Sequence, residues 1–161
     1  MRRPQSAVLF MIAMEKTIRV SAEIDSLACG QTAVAMATEL GFDNRSAHEI
    51  AIAVSELVTN SVKYGGGGTL TLRPLAHPKP GIEIVVEDAG PGIQDQEAVF
   101  EDGFSEGKVL TPDDRFLGKK DLGCGLGAVR RMMGTVSITS GPEGGTRVVA
   151  RRYLGTPPRT A

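Results

Sequence analysis

The sequence predicts an α/β domain of the α+β kind: a two-layer sandwich in which one mixed or antiparallel sheet carries helices on a single face. Ile18, Val20, Ala22 and Ile24 alternate with Thr17, Arg19, Ser21 and Glu23, and Ile82, Ile84 and Val86 alternate again, the period of half-buried strands. Between them, Ala47, Ile50, Ala51, Val54, Leu57, Val58 and Ser61 recur at helical spacing and form one apolar stripe. A doubly wound nucleotide fold is not expected. The glycine cluster at 123–127 does not directly follow a strand, and no Gly-Lys-Ser/Thr ending is present.

The elements follow in order. After the strand beginning at Thr17, Asp25 and Ser26 offer cap oxygens to a helix over 26–40, which Gly41 stops. A second helix starts near Asp43 or Asn44 and continues to about Lys63, with Glu49, Ala53, Glu56, Asn60 and Lys63 opposite the core stripe. Gly65 to Gly68 end it, and Leu70 and Leu72 open the next strand. Residues 76–81, with two prolines, read as a loop before the strand that ends at Glu87 and Asp88, where Val85 adds a second apolar face. A short helix is expected over 94–100, and a mobile, charge-rich loop over 106–121. A third helix over 125–133 and strands over 135–140 and 146–153 complete the pattern. Residues 1–15 read as an N-terminal extension, 16–153 as one domain and 154–161 as a flexible tail.

With 161 residues, 18 basic and 19 acidic, the chain has the size of a single domain and a net charge of -1, which offers no long-range attraction to nucleic acid or an anionic membrane. No apolar run reaches a membrane span. The run Ala7 to Ala13 behind Arg2 and Arg3 is short for a secretory signal and lacks an Ala-x-Ala pattern, so it reads as an extra N-terminal stretch. Two separated cysteines, Cys29 and Cys124, suggest neither a disulfide framework nor a metal cluster, which fits a reducing cytoplasm.

Three pieces outline a nucleotide site. Glu56 and Asn60 stand one helical turn apart on the less apolar face. Asp88 opens an Asp-Ala-Gly-Pro-Gly turn at a strand end, where Gly90 and Gly92 let backbone and ligand approach closely and a carboxylate can accept from a purine's exocyclic amine. Taken alone, Asp-x-Gly is an ordinary self-capped turn. Gly123, Cys124, Gly125, Leu126 and Gly127 precede or open a helix, so backbone N–H groups there can face a phosphate chain.

Glu-x-x-x-Asn on a helix, Asp-x-Gly-x-Gly after a strand, a glycine-rich loop before a helix and the late Gly145-Thr146 pair together resemble the GHKL ATPases, the Bergerat or histidine-kinase-like fold. The resemblance spans about residues 16–153. Within that superfamily the chain is most similar to the RsbT-type switch kinases of bacterial partner-switching systems. That similarity is carried by Ser55-Glu56-Leu57 with Asn60, Tyr64 before the glycines, Glu87-Asp88 with Gly90-Pro91-Gly92-Ile93, and Glu101-Asp102-Gly103-Phe104-Ser105. It implies ATP and Mg²⁺ as cofactors, with Asn60 on the metal. It places Asp88, Gly90, Gly92, Ile93, Gly123, Gly125, Leu126, Gly127 and Thr146 around the nucleotide, and Glu56 as the base that takes a proton from a serine or threonine hydroxyl. It also implies a STAS-domain antagonist as substrate, a phosphatase or sigma factor as further partner, and leaves room for a homodimer. The chain departs from its apparent relatives after Ser105, where residues 106–121, with Arg115, Lys119 and Lys120, intervene before the glycine loop.

A second reading, a nucleotide-gated binding module without significant catalysis, rests on that altered lid. A third, the catalytic half of a histidine kinase, needs a dimerising helix pair that about fifteen residues cannot form. His48 and His77 lie in no such pair. Cys124, at a helix start, is read as compact filler rather than a redox switch.

Overall fold

The computed structural model describes residues 10–11, 14–92, 104–105, 108–109, 125–140 and 144–156. In chain order the elements are β1 (Lys16–Val20), α1 (Asp25–Glu39), α2 (Asn44–Gly65), β2 (Gly68–Leu75), β3 (Gly81–Asp88), β4 (Phe104–Ser105), β5 (Lys108–Val109), α3 (Gly125–Met133), β6 (Thr135–Ser140) and β7 (Thr146–Tyr153). Five strands form one open sheet in the order β1-β2-β3-β7-β6, with every neighbouring pair antiparallel. The two-layer expectation is met, and the sheet is wholly antiparallel.

Alternation decides which side chains meet the helices. Leu70, Leu72, Ile82, Ile84, Val86, Val148 and Ala150 share one core with Ala33, Ile50, Val54, Leu57, Val58, Val129 and Met133 of the helices. The other sheet face carries cross-strand charge pairs instead of a helix. Glu83, 4% exposed, accepts from Arg73 Nη1 at 2.7 Å and Arg151 Nε at 2.6 Å, and Arg147 Nε donates to Glu87 at 2.9 Å. These long side chains lie over Val85 and Val149, which are buried with no helical layer above them among the described residues.

The ends of α2 are legible. Asp43 caps α2 by accepting from Ser46 N at 2.7 Å, and Gly66, at φ +73°, ends it in the left-handed region that a side chain would disfavour. Gly66 N donates to Val62 O and Gly67 N to Ser61 O, which satisfies two of the helix's last carbonyls.

Several expectations are corrected. The first strand ends at Val20, and Ile24 is 73% exposed. Asp25 and Ser26 do not cap α1: Ile24 occupies that position without a side-chain bond, and the Asp25 carboxylate instead accepts from Ser21 N and Ala22 N, both at 2.9 Å. Those amides hold its pKa below the usual carboxylate value. On α2 it is Ala53 that is fully buried and Ala51 that is partly exposed, because α3 packs on this flank of the helix and widens the apolar stripe. Lys108–Val109, expected within a loop, pairs with Phe104–Ser105 as a two-stranded ribbon. The short helix expected over 94–100 lies outside the described residues. Of the N-terminal extension, Met14 is buried in the core and Glu15 pairs with Arg73 at 2.8 Å.

Candidate functional site

The sheet register gives the molecule two ends. At one, Asp88 stands opposite Gly68 and Thr146 begins β7; at the other, Gly81 faces Tyr153 and Thr135 faces Arg151. Asp88 continues the helix-facing phase of Ile82, Ile84 and Val86, so the side chain that leaves the apolar series is directed toward the helix layer. Helix α2 begins at the remote end, where Ser46 and Glu49 meet Arg152, and finishes against Asp88. Glu56 and Asn60 lie between, one turn apart and both half-buried.

The Asp88 carboxylate is held by the backbone on two sides. Its Oδ1 accepts from Gly90 N at 2.9 Å, within its own turn, and from Thr146 N at 3.3 Å, across the sheet. Thus the self-capped turn and the ligand-facing carboxylate are compatible: one oxygen fixes the turn, while Oδ2 accepts no hydrogen bond among the described residues. Thr146 is itself buried.

Helix α3 is tied in register by a buried arginine. Arg152, 3% exposed, donates through Nη1 to Glu49 Oε2 at 2.7 Å and Met132 O at 2.8 Å, and through Nη2 to Ser46 Oγ at 2.9 Å. The carboxyl end of α3 is therefore fastened beside the first turns of α2, and α3 feeds β6 at the remote end. Met132 to Gly125 and Glu49 to Glu56 are equal lengths of helix, about 10.5 Å each. Helix α3 packs against α2, and as the first residues of a helix Gly125, Leu126 and Gly127 present N–H groups without intrahelical partners. The Leu126 side chain enters the core, so only its backbone is available to a ligand.

Two concave regions flank this arrangement. One, of about 350 Å³, is lined by Asp43, Ser46, Glu49 and Arg152, whose polar groups largely satisfy one another. The other, of about 510 Å³, runs along Arg19, Ser21, Gly65 to Gly68, Glu87 and Asp88 and opens beside the carboxylate. Burial pulls the Glu49 carboxyl pKa upward, but hydrogen bonds and charge from Arg152 and Arg45 prevail and hold it below its usual value. Cys29 is wholly buried, and burial together with the Asp25 charge pushes its thiol up, so it is packing material rather than a nucleophile.

A model of the histidine kinase-like ATPase domain matches residues 20–152. The chain belongs to the histidine kinase-like ATPase family. It is 35% identical over 141 residues to the serine/threonine-protein kinase RsbT of Bacillus subtilis (strain 168), covering 87% of this chain and 97% of that protein. It is 31% identical over 105 residues to the sensor-type histidine kinase PrrB of Mycobacterium leprae (strain TN), a match to 63% of this chain but 22% of that protein. The PrrB of Mycobacterium tuberculosis (strain ATCC 25618 / H37Rv) is 33% identical over 106 residues, again 22% of its length. An open antiparallel sheet with helices on one face is the α/β architecture expected of a histidine kinase-like ATPase domain. No helix among the described residues is long and apolar enough to cross a membrane.

Of the expected site residues of this ATPase-family chain, Glu56, Asn60, Asp88, Gly90, Gly92, Gly125, Leu126, Gly127 and Thr146 are described. Asp88, Gly90 and Thr146 meet directly, Glu56 and Asn60 share the helix that ends on them, and α3 packs against that helix. Ile93, Gly123, Cys124, Arg115, Lys119 and Lys120 lie outside the described residues. Two contributors escaped the sequence reading. Arg152 occupies the helix-facing phase of β7 after Val148 and Ala150, a charge where the alternation asks for an apolar residue, and that was its signal. Gly65 is the other; four consecutive glycines exceed what a helix stop requires.

Proposed function

We propose that this chain is an ATP-dependent protein serine/threonine kinase of a bacterial partner-switching system, acting in the cytoplasm on a STAS-domain antagonist protein. The observation that carries the reading is the meeting of α2 with β3: the helix bearing Glu56 and Asn60 terminates on Asp88, whose carboxylate two backbone amides orient. The donor set fits the nucleotide. Asp88 offers Oδ2, which accepts no hydrogen bond among the described residues, to an exocyclic amine, Gly90 and Gly92 shape the turn beside the base, and Ile93 and the Thr146 hydroxyl are assigned to the same base. Among the described residues no group of three or more His, Cys, Asp or Glu could hold a metal unaided, and Asn60 supplies a single neutral oxygen. Such a site suits Mg²⁺, which takes most of its ligands from phosphates and water.

When bound, Mg-ATP supplies the transferable phosphoryl group and a cation that neutralises its charge. Glu56 would take the proton of the incoming serine or threonine hydroxyl, and the backbone amides of Gly125, Leu126 and Gly127 would hold the phosphates, a role assigned to Gly123 as well. Near-complete coverage of RsbT, named a serine/threonine-protein kinase, supports a hydroxyl acceptor. A phosphatase or sigma factor is the partner exchanged when the antagonist is phosphorylated, and a homodimer is compatible with this scheme.

Incubating the purified chain and a STAS-domain partner with Mg-ATP labelled at the γ-phosphate tests the assignment. Acid-stable label on a serine or threonine of the partner is expected. Acid-labile label, which marks phosphohistidine, would contradict it, and ATP-dependent complex formation that leaves ATP intact would favour the gated binding module.

A further inference from the structure

Gly65 does not need to be glycine for its backbone. It is the last residue of α2, and the left-handed conformation that ends the helix falls on Gly66 and Gly67. In a right-handed helix alanine is favoured over glycine by about 1 kcal/mol. What forbids a side chain is Asp88. A methyl group on Gly65 would stand 2.6 Å from Asp88 Cβ and 2.6 Å from Oδ1, with Cγ closer still. Rotating the carboxylate cannot relieve this, because Cβ is attached directly to the β3 backbone. That backbone is itself confined, since a side chain on Gly145 would strike the Asp88 carbonyl oxygen. Gly90 closes the arrangement: a methyl group there would stand 2.5 Å from Gly65 Cα and 3.1 Å from Asp88 Oδ1. Three glycines from three separate segments thus lie against Asp88, Gly65 and Gly90 at its side chain and Gly145 at its backbone.

We propose that Gly65 is a positioning residue for base recognition: its bare Cα is the surface against which Asp88 is set so that Oδ2 meets an amine on the purine, and it couples the end of the Glu56/Asn60 helix to the choice of adenine. The inference rests on the assignment of Asp88 to the base. The ligand chemistry is an amino-purine triphosphate, and the discriminating probe is inosine triphosphate, which places an oxygen acceptor where adenine carries the amine. A carboxylate held in place rewards the first and repels the second. Displacing it erases both effects.

Calorimetry with the full chain, Mg-ATP and Mg-inosine triphosphate tests this. The wild type is expected to favour ATP by on the order of 10²-fold, the worth of one charge-assisted hydrogen bond. Asp88→Ala reduces that ratio to nearly one. Gly65→Ala is expected to lower it about 10-fold or more, chiefly by weakening ATP, despite being the better helix former. Gly66→Ala is the control: it imposes left-handed strain and a lower melting temperature, but its methyl group meets nothing within 4 Å, so the ratio stays at the wild-type value. Should Gly65→Ala not fold, Gly90→Ala, which presses on Gly65 Cα, carries the same expectation. If Asp88→Ala abolishes discrimination while the glycine variants keep it, or weaken both nucleotides equally, the role of Gly65 is overturned and that of Asp88 survives. If Asp88→Ala leaves discrimination unchanged, the assignment of the base pocket fails and this inference falls with it.

Discussion

Glu56→Gln is expected to slow phosphoryl transfer to the protein substrate by about 10²–10⁴-fold, the contribution of a positioned general base, while Mg-ATP affinity stays within about threefold, a shift of less than 1 kcal/mol. Glutamine keeps the shape of glutamate and removes its charge and its capacity to take a proton. The position is well suited to so clean a comparison. Glu56 lies in the middle of α2, two turns beyond Glu49 and two before Tyr64, in a helix fastened at one end by Asp43 and Arg152 and at the other by Gly66. Single-turnover transfer and nucleotide calorimetry on the same preparation separate the two effects. Full transfer by the variant would remove Glu56 from the catalytic role, whereas parallel loss of transfer and binding would make it part of the nucleotide pocket.

Glu49→Gln is expected to cost about 3–5 kcal/mol of stability, because it leaves the buried Arg152 guanidinium without its charged partner. At the scaling for a chain of this length, that lowers the melting temperature by roughly 10 °C. The two remaining acceptors, Met132 O and Ser46 Oγ, are neutral. Replacing both charges, as Glu49→Leu with Arg152→Met, is expected to recover most of the loss, since a packed apolar pair removes the desolvation cost along with the attraction.

The same pair carries a pH signature. The folded-state pKa of Glu49 lies below its unfolded value of about 4.3. Its contribution is therefore complete above the unfolded pKa and disappears as the pH falls through the lower, folded value. Urea unfolding should show a large gap between wild type and Glu49→Gln at neutral pH and a closing gap in acid, where a protonated glutamate resembles glutamine. A gap independent of pH would mean that the staple acts through shape rather than charge.

Much of this architecture is legible in the sequence, because the elements that build it bury one face and polarise the other. The stripe from Ala47 to Ser61, the alternation of Ile82, Ile84 and Val86, and the limits of α3 all appear as periodicity. What escaped depends on neighbours distant along the chain. Ala53 was placed on the polar side because a helical wheel sees one partner, whereas α2 packs against α3 as well as the sheet. Asp25 and Ser26 have the composition of a helix cap, yet Asp25 turns back to the amides of Ser21 and Ala22, a choice between two local bonds that composition does not decide. At the site, Asp88, Gly90 and Thr146 were recognisable by type. That Asp88 Oδ1 is shared between two amides, and that Gly65 lies bare against it, follows only from the register of β3 with β7 and the length of α2.

The central claim is that Asp88, the Glu56/Asn60 helix and the α3 amino end form one pocket for Mg-ATP. Titration calorimetry of the intact folded chain, beside Asp88→Ala with the same melting profile, tests it most directly. The account predicts saturable one-to-one binding of Mg-ATP at sub-millimolar concentration by the wild type and its loss in the variant. No heat from the wild type at millimolar nucleotide, or equal binding by both proteins, would contradict it.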